Sequence, residues 1–179
     1  MNTRHNNGVW ISLAVLSLAA WTGALAETEA SAGPATCVMI LAGSAEETPG
    51  TWGTAFSATR TVDLTFTVVF RKNLRGEHLL ELRVFTPQGD LYQSISGQVA
   101  EEGKKAEKRK VPGYAMPRLQ WVPTPISHGD RRGLKVDVPF PVGGTLIQTS
   151  SLYGQWRVEA YVDGARIPCT EPLHFWITE

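Results

Sequence analysis

An all-β fold, an antiparallel sandwich of about eight or nine strands, is what this sequence predicts, and three observations carry the prediction. Stretches of alternating apolar and polar residues recur from Thr61 to the end of the chain. The 17 Gly and 11 Pro are spread between those stretches, where such residues punctuate turns. No segment beyond residue 26 carries the helical apolar period. Sheets that each bury one face pack in pairs, and short strands with frequent turns lead to a sandwich.

The chain opens with Arg4 and His5 ahead of an apolar run from Val9, and Ala24-Leu25-Ala26 supplies a small-x-small cleavage pattern. This is the layout of a secretory signal peptide over residues 1–26, and it implies export to the periplasm or the external medium. The alternative is an uncleaved anchor, but Ser12, Ser17, Thr22 and Gly23 interrupt the run, and a spanning helix wants about 20 predominantly apolar residues. No later stretch is apolar enough to span, so no membrane span is expected after cleavage. The first Cys, Cys37, lies too far from the apolar run to be a lipid-attachment site. Residues 27–35 read as a disordered lead-in, and 36–179 as a single domain.

Within that domain Thr36 to Gly43 is a short apolar strand, and the following stretch to Arg60 is turn-rich. Thr61 to Phe70 places Val62, Leu64, Phe66, Val68 and Phe70 on one face, the signature of a strand with one buried side. Leu79 to Phe85 puts Leu80, Leu82 and Val84 in register. Pro87 and Gly89 then set a turn, and Leu91 to Val99 returns as the hairpin partner. Short strands are expected at Arg118 to Val122, Leu134 to Phe140 and Thr145 to Leu152. Near the end, Trp156, Val158, Ala160 and Val162 point one way, and Gln155, Arg157, Glu159 and Tyr161 the other. Asp163-Gly164 signals a two-residue hairpin, which would pair Val162 with Ala165, Ala160 with Ile167 and Val158 with Cys169. Pro168 and Pro172 assign the last strand to an edge or a bulge, with Leu173, Phe175 and Ile177 inward.

Cys37 and Cys169 are the only cysteines. An even count in an exported chain reads as a disulfide; two buried free thiols are the alternative.

The stretches "LYGQWRVEAYVDGARI" and "LLELRVFTPQGDLYQSI" resemble the bacterial immunoglobulin-like and fibronectin-type-III-like domains of exported proteins. There a Trp-bearing strand ends in an Asp-Gly turn, and a Thr-Pro-x-Gly turn joins two middle strands. The resemblance implies an immunoglobulin-like sandwich over most of residues 36–179. The antibody pattern itself is absent, because Leu79 to Phe85 lacks a Trp and the two Cys flank the domain. Domains of this kind serve as adhesion, chaperone, scaffold and glycan-binding modules.

Composition narrows the function. Lys and Arg number 17 against 17 Asp and Glu, so no general attraction to nucleic acid is expected. Ser127, His128 and Asp130 lie too close in sequence to converge as a triad, and Ile126 to Arg132 reads as a polar loop. His78, His128 and His174 have no metal-motif spacing. No catalytic residue, metal or cofactor is expected. Residues 104–110, "KKAEKRK", hold five basic groups and read as a solvated loop tip or an anion contact. The outward parities leave Arg157, Tyr161, His174 and Trp176 as the candidate binding residues, since interfaces favour Tyr, Trp and Arg. The alternative is that a second layer covers them. These readings lead to a non-enzymatic protein-interaction or envelope-assembly module. A carbohydrate-binding module stacking sugars on Tyr161, Trp176 and Trp121 is the second expectation.

Overall fold

The computed structural model describes residues 37–46, 52–71, 74, 76–100, 119–129 and 131–179. The expected signal peptide and lead-in, the 104–110 basic run and Asp130 therefore lie outside the described residues. Among the described residues ten strands and one helical turn run in the order β1 (Cys37–Ser44), β2 (Ala55–Ser57), β3 (Asp63–Arg71), β4 (His78–Phe85), β5 (Leu91–Val99), β6 (Leu119–Trp121), β7 (Thr124–His128), β8 (Arg131–Pro141), α1 (Leu146–Thr149), β9 (Gly154–Val162) and β10 (Leu173–Thr178). They form a four-stranded sheet of order β1-β3-β8-β7 and a six-stranded sheet of order β2-β10-β9-β4-β5-β6. All pairings are antiparallel except the short β2–β10 and β5–β6 ladders.

Period-two patterning explains how the sheets meet. Leu64, Phe66, Val68 and Phe70 of β3 and Val136, Val138 and Phe140 of β8 are buried against Leu80, Leu82 and Val84 of β4 and Trp156, Val158 and Ala160 of β9. An aromatic cluster joins the two layers. Phe66 lies 5.2 Å from Phe140 and 5.4 Å from Phe175, while Tyr92 lies 5.2 Å from Trp156, between ring centroids. The indole N–H of Trp156 donates to the Leu152 carbonyl at 3.0 Å, which satisfies the ring's one polar atom in the core.

Several expectations are corrected. Val62 is 56% exposed and precedes β3, because its carbonyl leaves the ladder to accept from Val142 and Gly143. Thr145 to Leu152 forms no strand. Thr145 caps a four-residue helix, its Oγ1 accepting from the Ile147 amide at 3.2 Å. The chain must cross there from the four-stranded sheet to the six-stranded one, and the helical turn inserts Ile147, fully buried, into the end of the core. In the expected loop from Ile126 to Arg132, residues 126–128 close β7 and residues 131–132 open β8, so these are strand. At Gly133 a Cβ would collide with the Phe70 carbonyl and crowd Val69, so the close approach of β8 to β3 needs glycine there.

The final hairpin also differs. Asp163 and Gly164 take φ of 55° and 73°, the left-handed pair a type I′ turn requires. The Asp163 carboxylate fixes the turn by accepting from the Leu79 amide at 2.9 Å and pairing with His78 Nδ1 at 2.8 Å. Beyond Ala165, however, the chain leaves β9. Cys169 donates its amide to the Ala160 carbonyl, and the ladder resumes only at Leu173, which faces Val158 in place of Cys169. The excursion carries Cys169 to Cys37, with Cα atoms 5.4 Å apart across a disulfide. Thr170 Oγ1 donates to the Val38 carbonyl beside it. Nor is β10 an edge: β2 pairs with it in parallel from Trp176 to Thr178.

Candidate functional site

The outer face of the six-stranded sheet is built from the residues of opposite parity to its core. On β9 these are Gln155, Arg157, Glu159 and Tyr161; on β4, Glu81, Arg83 and Phe85; on β10, His174 and Trp176. Register then decides who meets whom. His174 pairs with Arg157, Arg157 with Phe85, and Phe85 with Leu91. This row crosses β10, β9, β4 and β5. Trp176, paired with Gln155, stands diagonally beside Arg157, and Glu159 faces Arg83 while Tyr161 faces Glu81.

Within this lattice each arginine lies over an aromatic ring. Arg157 sits 4.3 Å from the centroid of Phe85, and Arg83 sits 4.2 Å from that of Tyr161. Arg83 is also held by Glu81, through Nε at 2.8 Å and Nη2 at 3.4 Å, and hydrogen bonding to that carboxylate raises its pKa above the ordinary value. Ser94 donates to the same carboxylate at 2.9 Å. Arg157 Nε lies 3.4 Å from Glu159. Each ring thus gives the guanidinium above it a cation–π partner beside its carboxylate. The acids sit lower than the bases: the side chains of Glu81 and Glu159 are 25% and 12% exposed, whereas both arginines are 39% exposed. A face of balanced formal charge thus turns its positive groups outward.

Of the four residues selected from sequence, the structure brings together Arg157, His174 and Trp176. Trp176 is 49% exposed and His174 is exposed beside it. Tyr161 keeps the expected outward parity but is only 7% exposed, so its ring offers little surface. Arg83 covers its ring, and its hydroxyl donates to Glu159 at 2.6 Å. Trp121 lies on β6, four strands away from β10, and packs partly against the core. Tyr161, Trp176 and Trp121 therefore form no common stacking platform. Phe85, Arg83 and Leu91 belong to the face and escaped the sequence reading. The outward parity of Phe85 in "LLELRVF" was the available signal. Ser127 and His128 are exposed at the end of β7. Among the described residues no group of three or more His, Cys, Asp or Glu is placed to hold a metal, and no helix is long and apolar enough to cross a membrane.

Burial, followed by the hydrogen bond to Glu159, pushes the Tyr161 phenol above its ordinary value. A phenol that binds its proton more tightly folded than unfolded adds stability in full below about pH 10, and that stability is lost as pH rises through the folded value. Denaturation midpoints of the wild type are therefore expected to fall above about pH 10 more steeply than those of Tyr161→Phe. Parallel curves would show that this phenol is not the responsible group.

No family model, no curated protein and no solved structure matches this chain.

Proposed function

We propose that this protein is an exported, non-enzymatic, immunoglobulin-like sandwich that acts as a protein-interaction or envelope-assembly module, and that it holds its partner on the outer face of the six-stranded sheet. The strand order supports the architectural part. The order β1-β3-β8-β7 follows the A-B-E-D sheet of immunoglobulin domains, and β10-β9-β4-β5 follows the G-F-C-C′ series. Export is supported by the Cys37–Cys169 disulfide, a bond that persists in oxidising compartments, together with the signal-peptide layout of residues 1–26.

One observation carries the functional part: the juxtaposition of exposed Trp176, stacked Arg157 and exposed Leu91 on one sheet face. Scattered single apolar residues on a surface are ordinary. A rigid aromatic next to a guanidinium already in contact with a ring and a carboxylate is the composition of an interaction hot spot, because little side-chain entropy is lost on docking.

Site-specific photo-cross-linking in the native compartment tests the reading. A cross-linker at Gln155 or Leu91 is expected to trap one protein species. The same group at Thr124 or Ser127, on the four-stranded sheet, is expected to trap none. Equal trapping from both sheets, or no protein adduct from the first pair, overturns the assignment of the face.

A further inference from the structure

The two outward guanidiniums specify what the partner must present. Arg157 and Arg83 occupy diagonal positions on adjacent strands, since Arg157 pairs with Phe85 and Arg83 lies two residues before it. Diagonal partners in an antiparallel pair stand roughly 7–8 Å apart. Each guanidinium carbon lies over an aromatic ring, Arg157 over Phe85 and Arg83 over Tyr161. Arg83 uses Nε and Nη2 on Glu81. Arg157 makes only the Nε contact to Glu159, and among the described residues neither of its Nη atoms has a hydrogen-bond partner. Both arginine side chains are 39% exposed.

We infer that this face takes an extended acidic peptide of the partner, in which two carboxylates at positions i and i+2 engage Arg157 and Arg83 while flanking apolar side chains meet Trp176 and Leu91. Residues two apart in an extended chain project to the same side about 6.6–6.8 Å apart, close to the diagonal spacing of the two arginine positions on the strands. Carboxylates suit the guanidinium edge because each takes two parallel N–H donors. Glu81 and Glu159 hold these arginines and are the less exposed groups of the two pairs. A uronic or sulfated glycan supplies the acids but lacks the apolar side chains that exposed Leu91 and Trp176 await.

This inference rests on the face assignment above, and purified protein tests it separately from the cross-linking. The probe is a synthetic peptide with Leu-Glu-Ser-Glu-Leu at its centre, titrated calorimetrically at low salt. Binding is expected to weaken about tenfold in Arg157→Gln and in Arg83→Gln, and to fall as salt rises. Arg157→Lys is not expected to restore it, because a point charge lacks the fork and the stacking plane. Replacing both glutamates by glutamine, or moving the second to i+3 on the opposite side of the strand, is expected to abolish binding. Melting curves identify any variant that loses the fold, and Arg157→Gln, altered at a half-exposed position, remains the deciding case. Equal binding of the i+2 and i+3 peptides, unchanged binding by Arg157→Gln, or tighter binding of an oligogalacturonate than of the peptide overturns the inference. If the peptide fails while Gln155 and Leu91 still cross-link to a protein, the face is right and the ligand chemistry is wrong.

Discussion

Replacing both Cys37 and Cys169 by Ala is expected to lower the melting temperature by about 8–20 °C. The bond closes a loop with a sequence separation of 132 residues, worth roughly 4–5 kcal/mol in the chain-entropy model. At roughly 2–4 °C per kcal/mol for a domain of this size, that gives the stated shift. The bond also has a local task. It fastens the first residue of β1, the edge strand of one sheet, to the connection that leads into β10 of the other. Thr170 closes the Val38 carbonyl beside it and Gly53 closes the Ala42 carbonyl further along, so β1 presents a partly capped edge, which discourages pairing with other chains. A double variant that melts within about 2 °C of the wild type would show that β1 is held without the bond.

Trp156→Ala is expected to cost about 3–5 kcal/mol, as truncation of a buried Trp does. The indole is fully buried, stacks at 6.5 Å on Phe175 and contacts Phe140 at 6.2 Å and Tyr92 at 5.2 Å. Its removal also leaves the Leu152 carbonyl without its donor. Trp156→Phe, which keeps an aromatic ring, should recover most of the loss but not the hydrogen bond, a residual of about 1 kcal/mol. The neighbouring Arg157→Ala removes only a stacked, half-exposed guanidinium and should cost less than about 1 kcal/mol. Chemical denaturation of the three variants provides the comparison. Equal losses at positions 156 and 157 would contradict the division of β9 into an inner and an outer face.

How much of this was legible beforehand depends on the range of the interactions involved. Alternation in "TVDLTFTVVF", "LLELRVF" and "QWRVEAYV" reports a local fact, that consecutive side chains of a strand point to opposite faces. It therefore located β3, β4 and β9 and set Trp156 inward. The Asp163-Gly164 turn was equally local, because it depends on two residues that tolerate positive φ. The cysteine pairing needed no geometry, since the sequence holds only one pair.

Tertiary structure decided everything that required a partner distant in sequence. Tyr161 has outward parity, but whether it meets solvent depends on Arg83, which reaches it from another strand through a register the sequence does not state. The last strand looked like an edge because prolines interrupt it. In the fold, β2 arrives in parallel from more than a hundred residues upstream and pairs beside Trp176. Thr145 to Leu152 has β-branched residues enough for a strand. The need to cross between sheets and plug the core with Ile147 overrides that propensity, as burial commonly overrides weak local preference. By itself the sequence determined which side chains face inward along each strand, because that is a property of one strand. Only the tertiary structure decided which outward residues stand together as Arg157, Phe85, Leu91, His174 and Trp176, because strand order and register are set by the packing of the whole core.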